Sequence, residues 1–559
     1  MAGNTPFVRQ DLIERAIGQS EPWDVIVIGG GATGLGTAVD AASRGYSTLL
    51  LEASDFGQGT SSRSTKLVHG GVRYLRQGNV SMVIKSLRER GRMLRNASHV
   101  VHPREFIVPC YQPGDKLFYG AGLKLYDVLA GKRGIGRSVL LSREEVIAAN
   151  PSVRTDGLRG GVLYLDGQFD DARYAVNLAK TCVEQGGVVL NYMRVSGLLK
   201  SGGRVDGVVA RDVHSDAEYS FRARSVVNAT GVFADSLRQI DDEAAPSMIR
   251  PSQGIHLVLD RSFMDSDVAI MVPKTDDGRV LFGIPWYGRV LLGTTDTAVD
   301  TIRAEPRPFE EEIDYLIEHA GRYLRTQPSR RHVRSVFTGL RPLVSKDDHD
   351  TKSISRDHVI RVSRSGLVTI TGGKWTTYRE MAADAVDHAA EVGGLPAAEC
   401  VTKSLRIHGW TEARGDGRMS IYGSDRPAIE RLTSEIRGGN RKIHARLPYT
   451  QAEVVWAVRH EMACTVEDVL ARRTRSLFLD ATACRDIAGG IASIVAEERG
   501  MDRDWARRQE KSFLETLANY EVAPVGGDGH DLPQIGGRPT RLRPEKAVAS
   551  STEGQLSEK

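Results

Sequence analysis

The chain lacks the features of secreted, membrane-spanning and nucleic-acid-binding proteins. Its five cysteines, Cys110, Cys182, Cys400, Cys464 and Cys484, are scattered, odd in number and without C-x-x-C spacing. That argues against a disulfide framework or a structural zinc site and fits buried thiols in a reducing compartment, so no metal site is expected. No stretch reaches the ~18 consecutive apolar residues that a membrane span needs. Residues 1–19 lack the apolar core of a signal peptide and read as a short polar helix over 7–17. With 75 basic against 71 acidic residues the net charge is only +4, which gives no argument for nucleic acid. A length of 559 residues predicts two or three domains with a large core.

What is present starts at residues 23–52. The β-branched run 25–28 predicts a strand buried on both faces, and Gly29-x-Gly31-x-x-Gly34 follows at once. In this pattern Gly29 allows the tight turn, Gly31 lets the backbone approach a pyrophosphate, and Gly34 lets the helix pack close to the strand. The helix ends at Gly45, and a second strand over 47–51 ends in Glu52, 18 residues beyond Gly34. An acid at about 20 is where such folds hold a ribose hydroxyl. The cradle alone accepts either a nicotinamide or a flavin dinucleotide. Two later strand-to-glycine junctions, at Gly231 and at Gly372-Gly373, favour the flavin, because an enclosed isoalloxazine needs several backbone turns around it.

Residues 60–95 carry nine Lys/Arg and one acid, Glu89. Lys85, Arg88, Arg92 and Arg95 read as a solvated basic helix. Arg63, Lys66, His69 and Arg73 lie in the glycine-rich loop after the cradle, where such folds build sites. Residues 117–129 form an apolar segment flanked by Lys132, Arg133 and Arg137. It reads either as a core helix with a basic end or as a segment resting on anionic lipid. A helix over 172–185 with an Asp170-Asp171 cap and strands near 161–165, 188–192, 205–213, 219–223 and 225–231 follow. Short alternating strands at 255–259, 268–272, 280–284 and 290–294 predict an inserted antiparallel sheet. A helix over 309–324, a strand over 333–340 and a hairpin over 353–371 return the chain to the cradle. Beyond 396 the chain reads as helical and charged, and 522–559 as a tail without periodicity.

Six stretches, Ile26-Val-Ile-Gly-Gly-Gly-Ala-Thr-Gly, Thr65-Lys-Leu-Val-His-Gly-Gly-Val-Arg-Tyr-Leu, Val227-Asn-Ala-Thr-Gly, Gly293-Thr-Thr-Asp, Thr338-Gly-Leu-Arg-Pro-Leu and Gly372-Gly-Lys-Trp-Thr-Thr-Tyr-Arg, resemble the FAD-dependent respiratory glycerol-3-phosphate dehydrogenases. Tyr449-Thr-Gln-Ala-Glu-Val and Glu467-Asp-Val-Leu-Ala-Arg-Arg-Thr-Arg extend the resemblance through the C-terminal region. It implies an α/β fold with a discontinuous Rossmann-like FAD-binding domain (23–105, 150–245 and 335–395), an inserted antiparallel-sheet substrate region (106–149 and 246–334) and a helical C-terminal domain (396–520). Residues 1–22 and 521–559 lie outside these. The implied activity is oxidation of sn-glycerol 3-phosphate to dihydroxyacetone phosphate by hydride transfer to FAD, with electrons passed to a membrane quinone. A homodimer in the cytoplasm, attached peripherally to the inner face of the cell membrane, is also implied.

The resemblance places Gly29, Gly31, Gly34, Glu52, Ser62, Thr65, Lys66, Ala229, Gly231, Gly373 and Thr376 at the cofactor. It places Arg73, Arg341, Arg356, Lys374 and Tyr74 in the substrate pocket. Arginine suits a phosphate dianion because its planar fork matches the oxygens, and Arg341 is the first candidate for that contact. The hydroxyl proton needs a base near neutral pKa; His256 and His69 are the two candidates, and His256 matches the family position by the substrate. The family's basic membrane helix after the Gly-Lys junction is not reproduced, since Glu380, Asp384 and Asp387 occupy that segment. The rival readings are an oxidase that reduces O₂, a flavin amine or amino-acid oxidase, and a non-enzymatic flavin-stabilised module.

Overall fold

The computed structural model describes residues 7–71, 78–273, 275, 278–347, 350–355, 358–412 and 415–523. Strand Trp23–Ile28 is central to a largely parallel sheet because Val25, Ile26, Val27 and Ile28 are covered on both faces and buried. The row runs His358–Val362, Val368–Gly372, Glu218–Asn228, Trp23–Ile28, Thr48–Leu51, Val188–Leu190. Only His358–Val362 is antiparallel to its neighbour in this row. Met193–Ser201 and Arg204–Asp212 extend the outer half of Glu218–Asn228 as an antiparallel flap. Helix Ala32–Ser43 packs against helices Asp171–Glu184 and Tyr378–Gly393. Gly36 permits that approach, since a Cβ there would lie 2.8 Å from the Tyr378 ring.

The second sheet is larger than the expected insertion. Its order is Asp350–Ser355, Val333–Asp347, Ile249–Asp260, Arg289–Gly293, Leu281–Trp286, Ala269–Val272, Val101–Cys110, Gly160–Phe169, Leu67–Val68, with Thr297–Ala298 and Val139–Leu141 attached at the side. Four short strands over 255–294 were expected from alternation, and all four are present. Val101–Cys110, which spans the expected boundary at 105/106, pairs in this sheet with Gly160–Phe169 from the stretch expected in the nucleotide scaffold. Val333–Asp347 pairs along the length of Ile249–Asp260. The sheet draws its strands from four separate parts of the chain, and its Leu340 carbonyl accepts from Thr60 Oγ1 in the loop after Glu52 (2.6 Å).

Residues 396–520 carry the expected helices, among them Gln451–His460, Ala481–Glu498 and Arg503–Leu517. Thr450 and Glu453 form a capping box at the first, and Asp480 and Asp502 cap the other two. Their apolar faces continue the core of the second sheet: Leu447, Tyr449, Phe478, Ile491 and Phe513 share one buried cluster with Phe106, Tyr164, Trp286 and Phe337. Ser335 Oγ donates to the Leu477 carbonyl (2.8 Å) and Val336 N–H to the Tyr520 carbonyl (2.9 Å). Among the described residues no helix is long and apolar enough to cross a membrane.

Candidate active site

Three neighbouring strands of the first sheet, Val368–Gly372, Glu218–Asn228 and Trp23–Ile28, end side by side in glycine turns. Ligands of such sheets bind at this carboxyl edge. Gly29 has φ +110°, and a Cβ there would stand 2.7 Å from the Ala229 carbonyl. A Cβ on Gly34 would lie 1.9 Å from the Gly29 carbonyl, so helix and turn cannot separate to admit a side chain. Gly31 caps helix Ala32–Ser43 without a side-chain hydrogen bond, leaving the helix N-terminus to Ser61, whose Oγ accepts from Ala32 N–H (2.9 Å). Gly231 (φ +60°) opens onto empty space, and Gly373 (φ +70°) turns the third junction. Trp375 Nε1–H donates to the Ser61 carbonyl (2.8 Å), tying that junction to the cradle, and Thr376 is buried beside it. Glu52 braces the first turn: Gly30 N–H (2.5 Å) and Ser54 N–H (2.8 Å) donate to its two oxygens. Burial raises the Glu52 pKa against those two bonds. A glycine turn that leaves no room for a Cβ at Gly29 or Gly34, at the N-terminus of a helix, fits a dinucleotide pyrophosphate.

The second sheet supplies the other wall. His256, on Ile249–Asp260, is buried, with its ring stacked on Phe337 (centroids 4.9 Å apart, 13° between planes). Its Nε2 lies 2.9 Å from Thr65 Oγ1, and its Nδ1 has no hydrogen-bond partner among the described residues. Gly293 is needed opposite it, since a Cβ there would come within 2.1 Å of the ring. Burial, then the nearby Lys66 and Arg341 charges, push the His256 pKa well below its ordinary value, so the ring is neutral at pH 7. Arg341 lies across Gly254, where a Cβ would meet the guanidinium at 2.2 Å. Its Nη1 donates to the Gln253 carbonyl and Asp296 Oδ1 (both 3.2 Å), and its Nη2 to Thr294 Oγ1 (3.1 Å) and the Thr295 carbonyl (2.9 Å). His256, Gly254 and the paired Phe337, Gly339 and Arg341 alternate along two adjacent strands, so they share one face.

Other expected residues fall as follows. Lys374 is half-buried in the turn after Gly373. His69 is half-buried and precedes Gly70, whose N–H donates to Tyr126 Oη (2.7 Å). Arg73, Tyr74 and Arg356 lie outside the described residues. Ser62 contributes its carbonyl, which accepts from Lys66 Nζ (2.7 Å) and Arg475 Nη2 (2.8 Å). Lys66, expected at the cofactor, has its side chain wholly buried in an ion pair with Asp171 (2.7 Å), 4.9 Å from the Phe337 centroid. Burial draws its pKa down to about 7, with Asp171 opposing. Sequence reasoning missed Asp171 and Arg475, which fix the 62–66 loop, and Arg472 and Arg473, which clasp the buried Asp55 beyond Glu52. These pairs are more than 100 residues apart, and no local pattern signals them.

The class follows from these features together with the match of residues 24–379 to the family described as FAD dependent oxidoreductase. Residues 364–506 match the C-terminal domain of alpha-glycerophosphate oxidase. The chain is 38% identical over 561 residues to the mitochondrial glycerol-3-phosphate dehydrogenase of Arabidopsis thaliana, covering 92% of this chain and 89% of that protein. It is 36% identical over 537 residues to the mitochondrial human enzyme of that name, covering 89% and 74%. The X-ray structure of the glycerol-3-phosphate dehydrogenase from Bacillus halodurans complexed with FAD superposes with a TM-score of 0.75 at 30% identity, over 93% of this chain and 98% of that one. The chain belongs to the FAD-dependent glycerol-3-phosphate dehydrogenases, and FAD is its cofactor.

Proposed function

We propose that the enzyme oxidises sn-glycerol 3-phosphate to dihydroxyacetone phosphate and delivers the electrons to a membrane quinone. The observation that carries this is the shared face of His256 and Arg341: a neutral imidazole and a fixed guanidinium, with His256 joined through Thr65 to the loop whose Ser61 caps the cradle helix. FAD, held by the glycine turns at 29–34, Gly231 and Gly373, would supply the two-electron acceptor for the hydride of the carbinol carbon. Arg341 is held in place by four acceptors. Its charge and Nε–H draw the phosphoryl dianion, and a bidentate contact forms as the phosphate takes over the hydrogens now given to the side chains of Thr294 and Asp296, while the Gln253 and Thr295 carbonyls keep the guanidinium in place. His256 takes the hydroxyl proton at Nε2, the atom now facing Thr65 Oγ1, and its neutral state leaves it free to do so. Lys374 adds a further cation for the polar substrate, the family resemblance adds Arg73, Arg356 and Tyr74, which lie outside the described residues, and Glu52 holds the adenosine ribose. His69 lies on the flavin side rather than acting as the base.

A peripheral seat on the inner face of the cell membrane is supported by helix Asp115–Ala130. Leu117 and Val128 are each 73% exposed and Phe118 62%, beside exposed Leu125, Val139 and Leu140. Lys124, Arg133 and Arg137 are exposed around this apolar stripe, which suits an anionic lipid surface. Its inner side holds the His69–Gly70 loop through Tyr126. The test measures dihydroxyacetone phosphate formed with a soluble quinone analogue against peroxide formed in air. Quinone-dependent turnover well above peroxide formation is expected; peroxide equal to product would make the enzyme an oxidase. All of the holoenzyme remaining unfloated by anionic liposomes would remove the membrane seat.

A further inference from the structure

We propose that Glu312 is the positioning residue for the phosphate end of the substrate site. This rests on the assignment of Arg341 to the phosphoryl group. Glu312 lies in the first turn of helix Glu310–Tyr323 and is buried. A buried carboxylate is costly unless its acceptors are filled. Here four neutral donors fill them: Thr295 Oγ1 and Thr297 Oγ1 to Oε1 (2.7 Å each), and Gln253 Nε2 (2.8 Å) and Phe309 N–H (3.2 Å) to Oε2. The positive end of the helix dipole adds to them.

What this carboxylate fastens is the frame of Arg341. Gln253 and Thr295, whose side chains bind Glu312, are the two residues whose carbonyls accept from Nη1 and Nη2 of Arg341. Thr297 pairs with Gln253 across the strand edge, and Thr295 Oγ1 also accepts from Ile255 N–H (3.0 Å), one residue before His256. Glu312 therefore ties the 294–297 turn to the strand carrying His256. It acts on the substrate only through Arg341, by holding the carbonyls that set the direction of the guanidinium fork. No sequence pattern near residue 312 marks it, because an acidic first turn is ordinary for a helix.

The test uses the FAD-loaded enzyme and steady-state kinetics, with inorganic phosphate as competing probe. Glu312→Gln keeps the size of the side chain and the two threonine bonds but loses acceptance from Gln253 and Phe309. It is expected to raise KM for glycerol 3-phosphate and the inhibition constant of phosphate together, by about 5- to 30-fold, with a smaller change in kcat and unchanged flavin content. In an Arg341→Ala background the same substitution is expected to add nothing, since its effect passes through that guanidinium. If Glu312→Gln does not fold, Thr297→Val removes one donor and is expected to raise both constants by about 2- to 5-fold, with Thr297→Ser restoring them. If Arg341→Ala leaves KM unchanged, the phosphate reading fails. If Arg341→Ala raises KM while Glu312→Gln leaves it unchanged, or if the two effects multiply fully in the double variant, the positioning role is refuted.

Discussion

Arg341→Ala removes the guanidinium and the hydrogen bonds it gives to the Gln253 and Thr295 carbonyls, Thr294 Oγ1 and Asp296 Oδ1, the last of which keeps Ser252 Oγ as donor. Loss of one charged contact to a charged partner costs about 2–5 kcal/mol. The Arg341 side chain is 28% exposed, so solvent replaces part of the contact and the lower end applies. About 2–3 kcal/mol corresponds to a fall in kcat/KM of roughly 30- to 160-fold. The glycine cradle is built from other strands, so flavin absorbance per protein stays constant. Arg341→Lys keeps a charge but loses the fork and falls between. Stopped-flow reduction of the enzyme-bound flavin, as a function of glycerol 3-phosphate concentration, separates binding from chemistry. Unphosphorylated glycerol serves as control: the preference for the phosphorylated substrate should shrink in Arg341→Ala by the same factor. An unchanged KM, or an equal loss with glycerol, would refute the phosphate contact.

His256→Asn should lower kcat by about 10²- to 10⁴-fold, and in the unmodified enzyme the acid limb of kcat should fall below pH 6.5 because the folded pKa of His256 is depressed; a limb at or above 6.5 would contradict the assignment. Gly34→Ala places a Cβ 1.9 Å from the Gly29 carbonyl and should cost about 1–3 kcal/mol with weakened FAD retention, read by thermal melting and flavin fluorescence. At His408 burial opposes the charge, while hydrogen bonds to Asp425 and Glu184 outweigh it and raise the pKa. That contribution is fully present below about pH 6.5 and is lost as pH rises through the raised folded value. The stability gap between wild type and His408→Gln, read by denaturant melts across pH, should therefore be present at pH 6 and close in alkaline buffer; a gap that widens with pH would reverse the sign.

The nucleotide cradle was legible because its parts are contiguous: strand, Gly29, Gly31, Gly34, helix and Glu52 fall within 30 residues. The four strands over 255–294 were legible from alternation. The partners of those strands were not, because Ala269–Val272 pairs with Val101–Cys110 and Ile249–Asp260 with Val333–Asp347 across long separations. Lys66 shows the same limit on a side chain. Its place in a glycine-rich loop suggests the cofactor, yet Asp171, 105 residues on, holds it in the interior. Arg472, Arg473 and Arg475 lie in a stretch that carries the family resemblance, but their partners Asp55 and Asp171 are more than 300 residues away and no local pattern signals them.

Anaerobic titration of the yellow holoenzyme with sn-glycerol 3-phosphate is the direct measurement of the central claim. The flavin band near its long-wavelength maximum should bleach stoichiometrically, with dihydroxyacetone phosphate formed in equal amount and no bleaching by glycerol at the same concentration. A flavin that stays oxidised at saturating glycerol 3-phosphate would contradict the assignment of this site to that substrate.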